Sequence, residues 1–139
     1  MIKQEIKYTD YNDVERVETH YFHLSNADLL DMQMENGGGL DVVLKRMIEV
    51  NDGPSIYKII KDLIQRSYGV KDINGGFDKD PALLKKFMNT EAYSEFITSL
   101  IADPDKLLAF VKGIMPKKIQ EQIAANEKAI LAGDLEAIK

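Results

Sequence analysis

Between Ser25 and Pro116 the sequence is divided into short amphipathic segments by residues that start and stop helices. Ser25 with Asp28, Asp80 before Pro81, and Asp103 before Pro104 each place a side-chain acceptor at an N-cap position. In the last two cases the proline falls at N1, where its missing N–H costs nothing. A helix opening at Ser25 carries Leu29, Leu30, Met32 and Met34. It has to end before Gly37-Gly38-Gly39, because consecutive glycines lose too much backbone entropy in a helix. The spacing of Leu40, Val43, Leu44, Met47 and Ile48 predicts a second helix over 40–50, and Ile56, Ile59, Ile60, Leu63 and Ile64 predict a third over 54–68, with Gly69 as its αL cap. Three more are expected over 81–88, 91–102 and 104–115, with apolar sets Leu83, Leu84, Phe87; Tyr93, Phe96, Ile97, Leu100; and Leu107, Leu108, Phe110, Val111, Ile114.

Before this helical stretch, Ile2, Ile6 and Tyr8 share one parity. The turn-prone Tyr11-Asn12-Asp13 follows, and residues 14–24 are rich in β-branched and aromatic side chains. Two antiparallel strands are predicted. A lone hairpin is marginal in water, so it must pack on the helices or pair with another chain. Segment 69–79 has no helical period; its Asn74-Gly75-Gly76 turn signal fits either a small hairpin or an ordered loop. The expected fold is mainly α: a multi-helix, bundle-like single domain with a short N-terminal β-hairpin over 1–24, a helical core over 25–116 and a polar C-terminal helix or tail over 117–139. Leu44, Ile48, Ile60, Leu63, Ile64, Phe96, Leu100 and Val111 are its expected core.

Composition narrows the function classes. A chain of 139 residues, 45% of them hydrophobic, fits one domain with a moderate core. Its net charge of −5, with lysines and arginines scattered among acids, leaves no basic stripe for phosphates, so no nucleic-acid partner is expected. There is no cysteine, which removes disulfides and thiolate chemistry together and fits a reducing cytoplasm. The first residues carry charges too often for a secretory signal, and the apolar runs are far shorter than the roughly 20 residues a membrane span needs. A soluble protein without membrane contact is expected.

No residue set qualifies for catalysis, a cofactor or a metal. His20 and His23 fall on opposite faces of a strand and have no third ligand at a zinc-motif spacing. The loop from Asp72 puts Gly76, Phe77 and Leu83 where a calcium loop needs a ligand, a glycine and a bidentate Glu. Gly37-Gly38-Gly39 lacks the lysine and hydroxyl of a phosphate cradle and reads as a joint. Met32, Met34, Met47, Met88 and Met115 sit at helical spacings and read mostly as core, although methionine also serves surfaces that grip varied apolar segments. The tail carries a sparse stripe of Ile119, Ile123, Ile130 and Leu131 outside the tightly punctuated region. Those four residues are the candidate partner-binding set.

The order of elements and their phrasing add a further inference. Tyr21-Phe22-His23-Leu24-Ser25-Asn26-Ala27-Asp28 leads a helix, followed by Gly38-Gly39-Leu40 and by Ile60-Lys61-Asp62-Leu63-Ile64-Gln65-Arg66-Ser67-Tyr68-Gly69. Asn89-Thr90-Glu91-Ala92-Tyr93-Ser94-Glu95-Phe96 and Phe110-Val111-Lys112-Gly113-Ile114-Met115-Pro116 complete the series. From the hairpin to Pro116 the chain resembles the tail assembly chaperones of tailed bacteriophages and prophages. The resemblance implies a small, mainly helical protein of the host cytoplasm. It would bind the long tape measure protein, keep it soluble, help recruit tail tube subunits and be absent from the finished particle. A homo-oligomer is compatible with this. The alternative is a structural subunit of the virion, a small tail or connector component adding its N-terminal strands to a neighbour's sheet; an enzyme ranks third.

Overall fold

A computed structural model describes residues 1–36 and 53–119, together with 121. The expected helix over 40–50, the glycine joint, and the core positions Leu44 and Ile48 lie outside the described residues. Strand β1 (Ile2–Thr9) and strand β2 (Glu15–Phe22) form the expected hairpin, paired antiparallel from Ile2 opposite Phe22 to Thr9 opposite Glu15. Alternation sets its two faces: Ile2, Gln4, Ile6, Tyr8, Glu18, His20 and Phe22 point toward the helices, while Lys3, Glu5, Lys7, Val17, Thr19 and Tyr21 point outward. Asp10 builds the turn. Its Oδ1 accepts from the backbone N–H groups of Asn12 (2.8 Å) and Val14 (3.0 Å), and Asp13 adopts the left-handed φ of 61° that Asp tolerates.

Helix α1 (Asn26–Asn36) starts as the sequence demands. The Ser25 hydroxyl accepts from Asp28 N–H at 3.1 Å, and Ser25 N–H donates to the Asp28 carboxylate at 2.8 Å, a reciprocal cap. Helix α2 (Gly53–Ser67) buries Ile60, Leu63 and Ile64. It does not end in a glycine cap. At Ser67 the chain passes directly into strand β3 (Tyr68–Lys71), so Gly69 is a strand residue. A Cβ at Gly69 would stand 2.5 Å from the ring of Phe77, and it is this close approach that requires glycine. Strand β4 (Phe77–Asp78) pairs with β3, so segment 69–79 is the small hairpin, turning at Gly75 with φ 85°. Helices α3 (Pro81–Met88), α4 (Glu91–Ala102) and α5 (Pro104–Gly113) are capped by Asp80, Thr90 and Asp103. Helix α5 stops two residues before the expected 115. There the Ile114 carbonyl accepts from Leu24 N–H at 2.6 Å, tying the end of the helix to the end of the hairpin.

The expected mainly α fold is therefore corrected to a mixed α/β fold. β3 docks beside β2 through Tyr21–Gly69 and Phe22–Tyr68, giving a four-stranded antiparallel sheet in the order β1-β2-β3-β4, with the helices on its inner face. The reason is local: four residues, Tyr-Gly-Val-Lys, are too short to show a strand period, and burial of Tyr68 against Phe22 sets their course.

The core joins both layers. Phe22 is fully buried, stacked on Phe96 with centroids 5.0 Å apart and meeting Phe110 edge-on at 5.5 Å and Phe87 at 6.0 Å. Tyr68 stacks on Phe87 at 4.4 Å. Ile6, Leu24, Met32 and the expected Ile60, Leu63, Ile64, Phe96, Leu100 and Val111 belong to the same cluster. The hairpin tip is held as well, its Tyr11 hydroxyl donating to the Asn89 carbonyl at 2.9 Å.

Candidate partner-binding surface

The residues first considered for chemistry are occupied in structural roles. His20 lies on the inner face of the sheet, its ring 4.7 Å from that of Phe87 and its Nε2 3.3 Å from Glu18 Oε1. His23, on the opposite parity, sits just past β2 with its ring edge-on to Phe77, and its Nδ1 is buried without a hydrogen-bond partner among the described residues. Burial pushes the His23 imidazole below its ordinary value; the terminal ammonium and Lys79 act in the same direction, and Asp28 opposes them. Among the described residues no three His, Cys, Asp or Glu side chains converge as a metal site. Asp72 turns its Oδ1 onto the N–H groups of Asn74 and Gly76, both at 2.8 Å, so its carboxylate builds the β3–β4 turn.

One polar node locks α1 to the β4–α3 region. The Lys79 ammonium donates to Asp28 Oδ2 at 2.5 Å and to the Arg66 carbonyl at 2.8 Å. Burial disfavours the Asp28 carboxylate, yet the hydrogen bonds from Lys79 and Ser25 outweigh burial and hold its pKa below the usual range. Arg66 in turn donates to Asp62 at 2.9 Å and to Glu35, joining α2 to α1.

The apolar side chains left to solvent are of more interest. On α1, Met32 is buried and Leu29 packs against the core, whereas Leu30 (54% exposed) and Met34 (76% exposed) stand one turn apart on the open side. Met115 is buried with Met32, so only Met34 of these three departs from the core reading; Met47 lies outside the described residues. Ile101 on α4 and Leu108 on α5 are half-exposed. On the outer sheet face Val17 is open, and the Lys71 ammonium lies 4.8 Å over the Tyr21 ring. In the C-terminal stripe Ile119 is partly buried against the core, and Ile123, Ile130 and Leu131 lie outside the described residues. Sequence reasoning missed the Leu30–Met34 pair as a surface. Its signal was the four-residue spacing on the face opposite Met32 and Leu29.

No helix among the described residues is long and apolar enough to cross a membrane. Leu30, Met34, Ile101 and Leu108 are displayed among charged residues on this small scaffold. The family model of phage tail assembly chaperones matches this chain over residues 1–137, and the protein belongs to that family. A chaperone family points to a non-enzymatic role in tail assembly. No curated protein matches the chain. No solved structure matches it either.

Proposed function

We propose that this protein binds the tape measure protein during tail assembly in the host cytoplasm, keeping it soluble until tail tube protein covers it. Membership of the tail assembly chaperone family over residues 1–137 carries this reading. The physics supports it. A long helical chain with apolar stripes aggregates until those stripes are covered, and a helix laid against apolar side chains covers them reversibly. Leu30 and the adaptable Met34 offer such a contact, and the net charge of −5 keeps a complex dispersed. The C-terminal stripe of Ile119, Ile123, Ile130 and Leu131 is the second proposed contact. Because Ile119 also packs on the core, its substitution tests folding as much as binding.

Co-expression tests the proposal. The tape measure protein encoded nearby should move from the aggregated to the soluble fraction and co-purify with this chain. Leu30→Asp with Met34→Asp should weaken co-purification while leaving the melting temperature within a few degrees, since both side chains are exposed. Failure of the intact protein to bind or solubilise the tape measure protein, together with its presence in purified virions, would establish the structural-subunit alternative.

A further inference from the structure

Strand β1 ends the sheet: among the described residues no strand pairs with its outer edge. The direction of its backbone groups follows from the turn. Asp10 N–H donates to the Val14 carbonyl at 2.9 Å, and bonded pairs recur at every second residue of an antiparallel ladder. The even-numbered residues of β1 therefore bond to β2, and Lys3, Glu5 and Lys7 turn their N–H and C=O groups to the open edge. The Gln4 side-chain amide donates to the Glu5 carbonyl at 3.1 Å, a contact that an edge-facing carbonyl accommodates. Beneath the edge runs a groove of about 290 Å³ between β1, α4 and the start of α5, lined by Gln4, Ile6, Glu95, Phe96, Ser99 and Lys106. It leaves room for the inward side chains of an added strand.

We propose that this edge pairs with a second copy of the same chain, β1 against β1, antiparallel and centred on Gln4, joining two four-stranded sheets into one. The sequence of β1 selects that occupant and that register. Centred on Gln4, Lys3 of each copy lies opposite Glu5 of the other, Ile2 lies opposite Ile6, and Gln4 meets its own counterpart, whose amide replaces the local bond to Glu5. Centred on Glu5, the strand would place Lys3 against Lys7 twice and Glu5 against Glu5, like-charge pairs that disfavour pairing; centred on Ile6, it would still pair Glu5 with Lys7 but would set Ile2 against Asp10 in the turn and replace the two Ile2–Ile6 contacts by a single Ile6–Ile6 contact. The even parity of the register also keeps both copies' inner faces on one side, as their helices require. Alternating charge distinguishes this edge from one guarded by charges of a single sign, which resist pairing in every register.

The test uses this chain alone, so it stands or falls apart from tape measure binding. Sedimentation velocity over a dilution series from micromolar to near-millimolar protein should show a concentration-dependent dimer. Glu5→Lys makes every close charge pair repulsive and should raise the dimer dissociation constant by about tenfold or more, each pair contributing a few tenths of a kcal/mol in either direction. The reciprocal Lys3→Glu, Lys7→Glu variant should likewise be weakened, while an equimolar mixture of the two variants should restore dimer, which no folding defect would do. Since the chain has no cysteine, Gln4→Cys supplies a single thiol on the dyad, where facing residues of a non-bonded pair approach within disulfide reach. Mild oxidation should then give a covalent dimer. A wild-type protein that stays monomeric throughout, a mixture that fails to associate, or a Gln4→Cys variant that does not cross-link would overturn the proposal.

Discussion

Replacing Phe22 by alanine tests whether the hairpin belongs to the core. Phe22 is fully buried at the end of β2, with its ring against Phe96, Phe110, Phe87 and Tyr68. Truncation to Ala removes about 120 Å² of buried apolar surface, worth ~3 kcal/mol at ~25 cal/mol per Å². The offset and edge-on ring contacts add ~1 kcal/mol, fewer than their number suggests because they share one ring and are not additive. The expected loss is about 4 kcal/mol, inside the range of about 3–5 kcal/mol for burying a void of this size. That is a large part of the roughly 5–15 kcal/mol total of a domain this long. Urea unfolding followed by far-UV circular dichroism measures it, with Val17→Ala on the outer sheet face as a control expected to change stability by less than about 0.5 kcal/mol. If Phe22→Ala cost under about 1.5 kcal/mol with an unchanged denaturant slope, the hairpin would be an appendage to a helical bundle and the shared core would be refuted.

Gly69→Ala should destabilise the protein by about 1–3 kcal/mol, because its Cβ would stand 2.5 Å from the Phe77 ring, and a double-mutant cycle with Phe77→Ala should recover most of that loss. Stability should be fully present above the ordinary histidine value of 6.5 and decline as pH falls through it, since His23 is held lower when folded and the unfolded chain takes up its proton first. In His23→Leu that part of the pH profile should flatten; an unchanged profile would remove His23 as its source. Zinc or calcium should leave the melting temperature unshifted, because His20 and His23 face different neighbours and Asp72 is committed to its own turn. A rise reversed by chelator and lost in Asp72→Ala would contradict this.

The helix starts at Ser25, Asp80 and Asp103 were legible because capping is local: the acceptor and the N–H groups it meets, and in the last two cases a proline, lie within three residues of one another. The β1–β2 hairpin was legible for the same reason, through alternation and a turn. The four-stranded sheet was not. Whether Gly69 caps a helix or spaces a strand depends on Phe77 closing over it and on Tyr68 finding Phe22, partners that no window around residue 69 contains. The apolar stripes on α2, α4 and α5 did indicate which residues are buried, but the meeting of Phe22, Phe87, Phe96 and Phe110 in one cluster follows only from tertiary closure. The candidate surface was legible in part. Leu30 and Met34 were seen as apolar helix positions, but their exposure is decided by which face of α1 the core takes, the face of Met32 and Leu29.

The placement of Phe22 also bears on how the chain is made. The hairpin is translated before the helices, and the rings that cover its inner face, Phe96 and Phe110, lie much later in the chain. At roughly 5–20 residues per second, the ~90 residues separating Phe22 from Phe110 leave the inner side chains of the two strands uncovered for on the order of 5–20 s. During that interval Ile6 and Phe22 face water instead of the helices that later cover them. Faster completion of the chain shortens that interval, so soluble yield should fall when translation is slowed between Phe22 and Phe110.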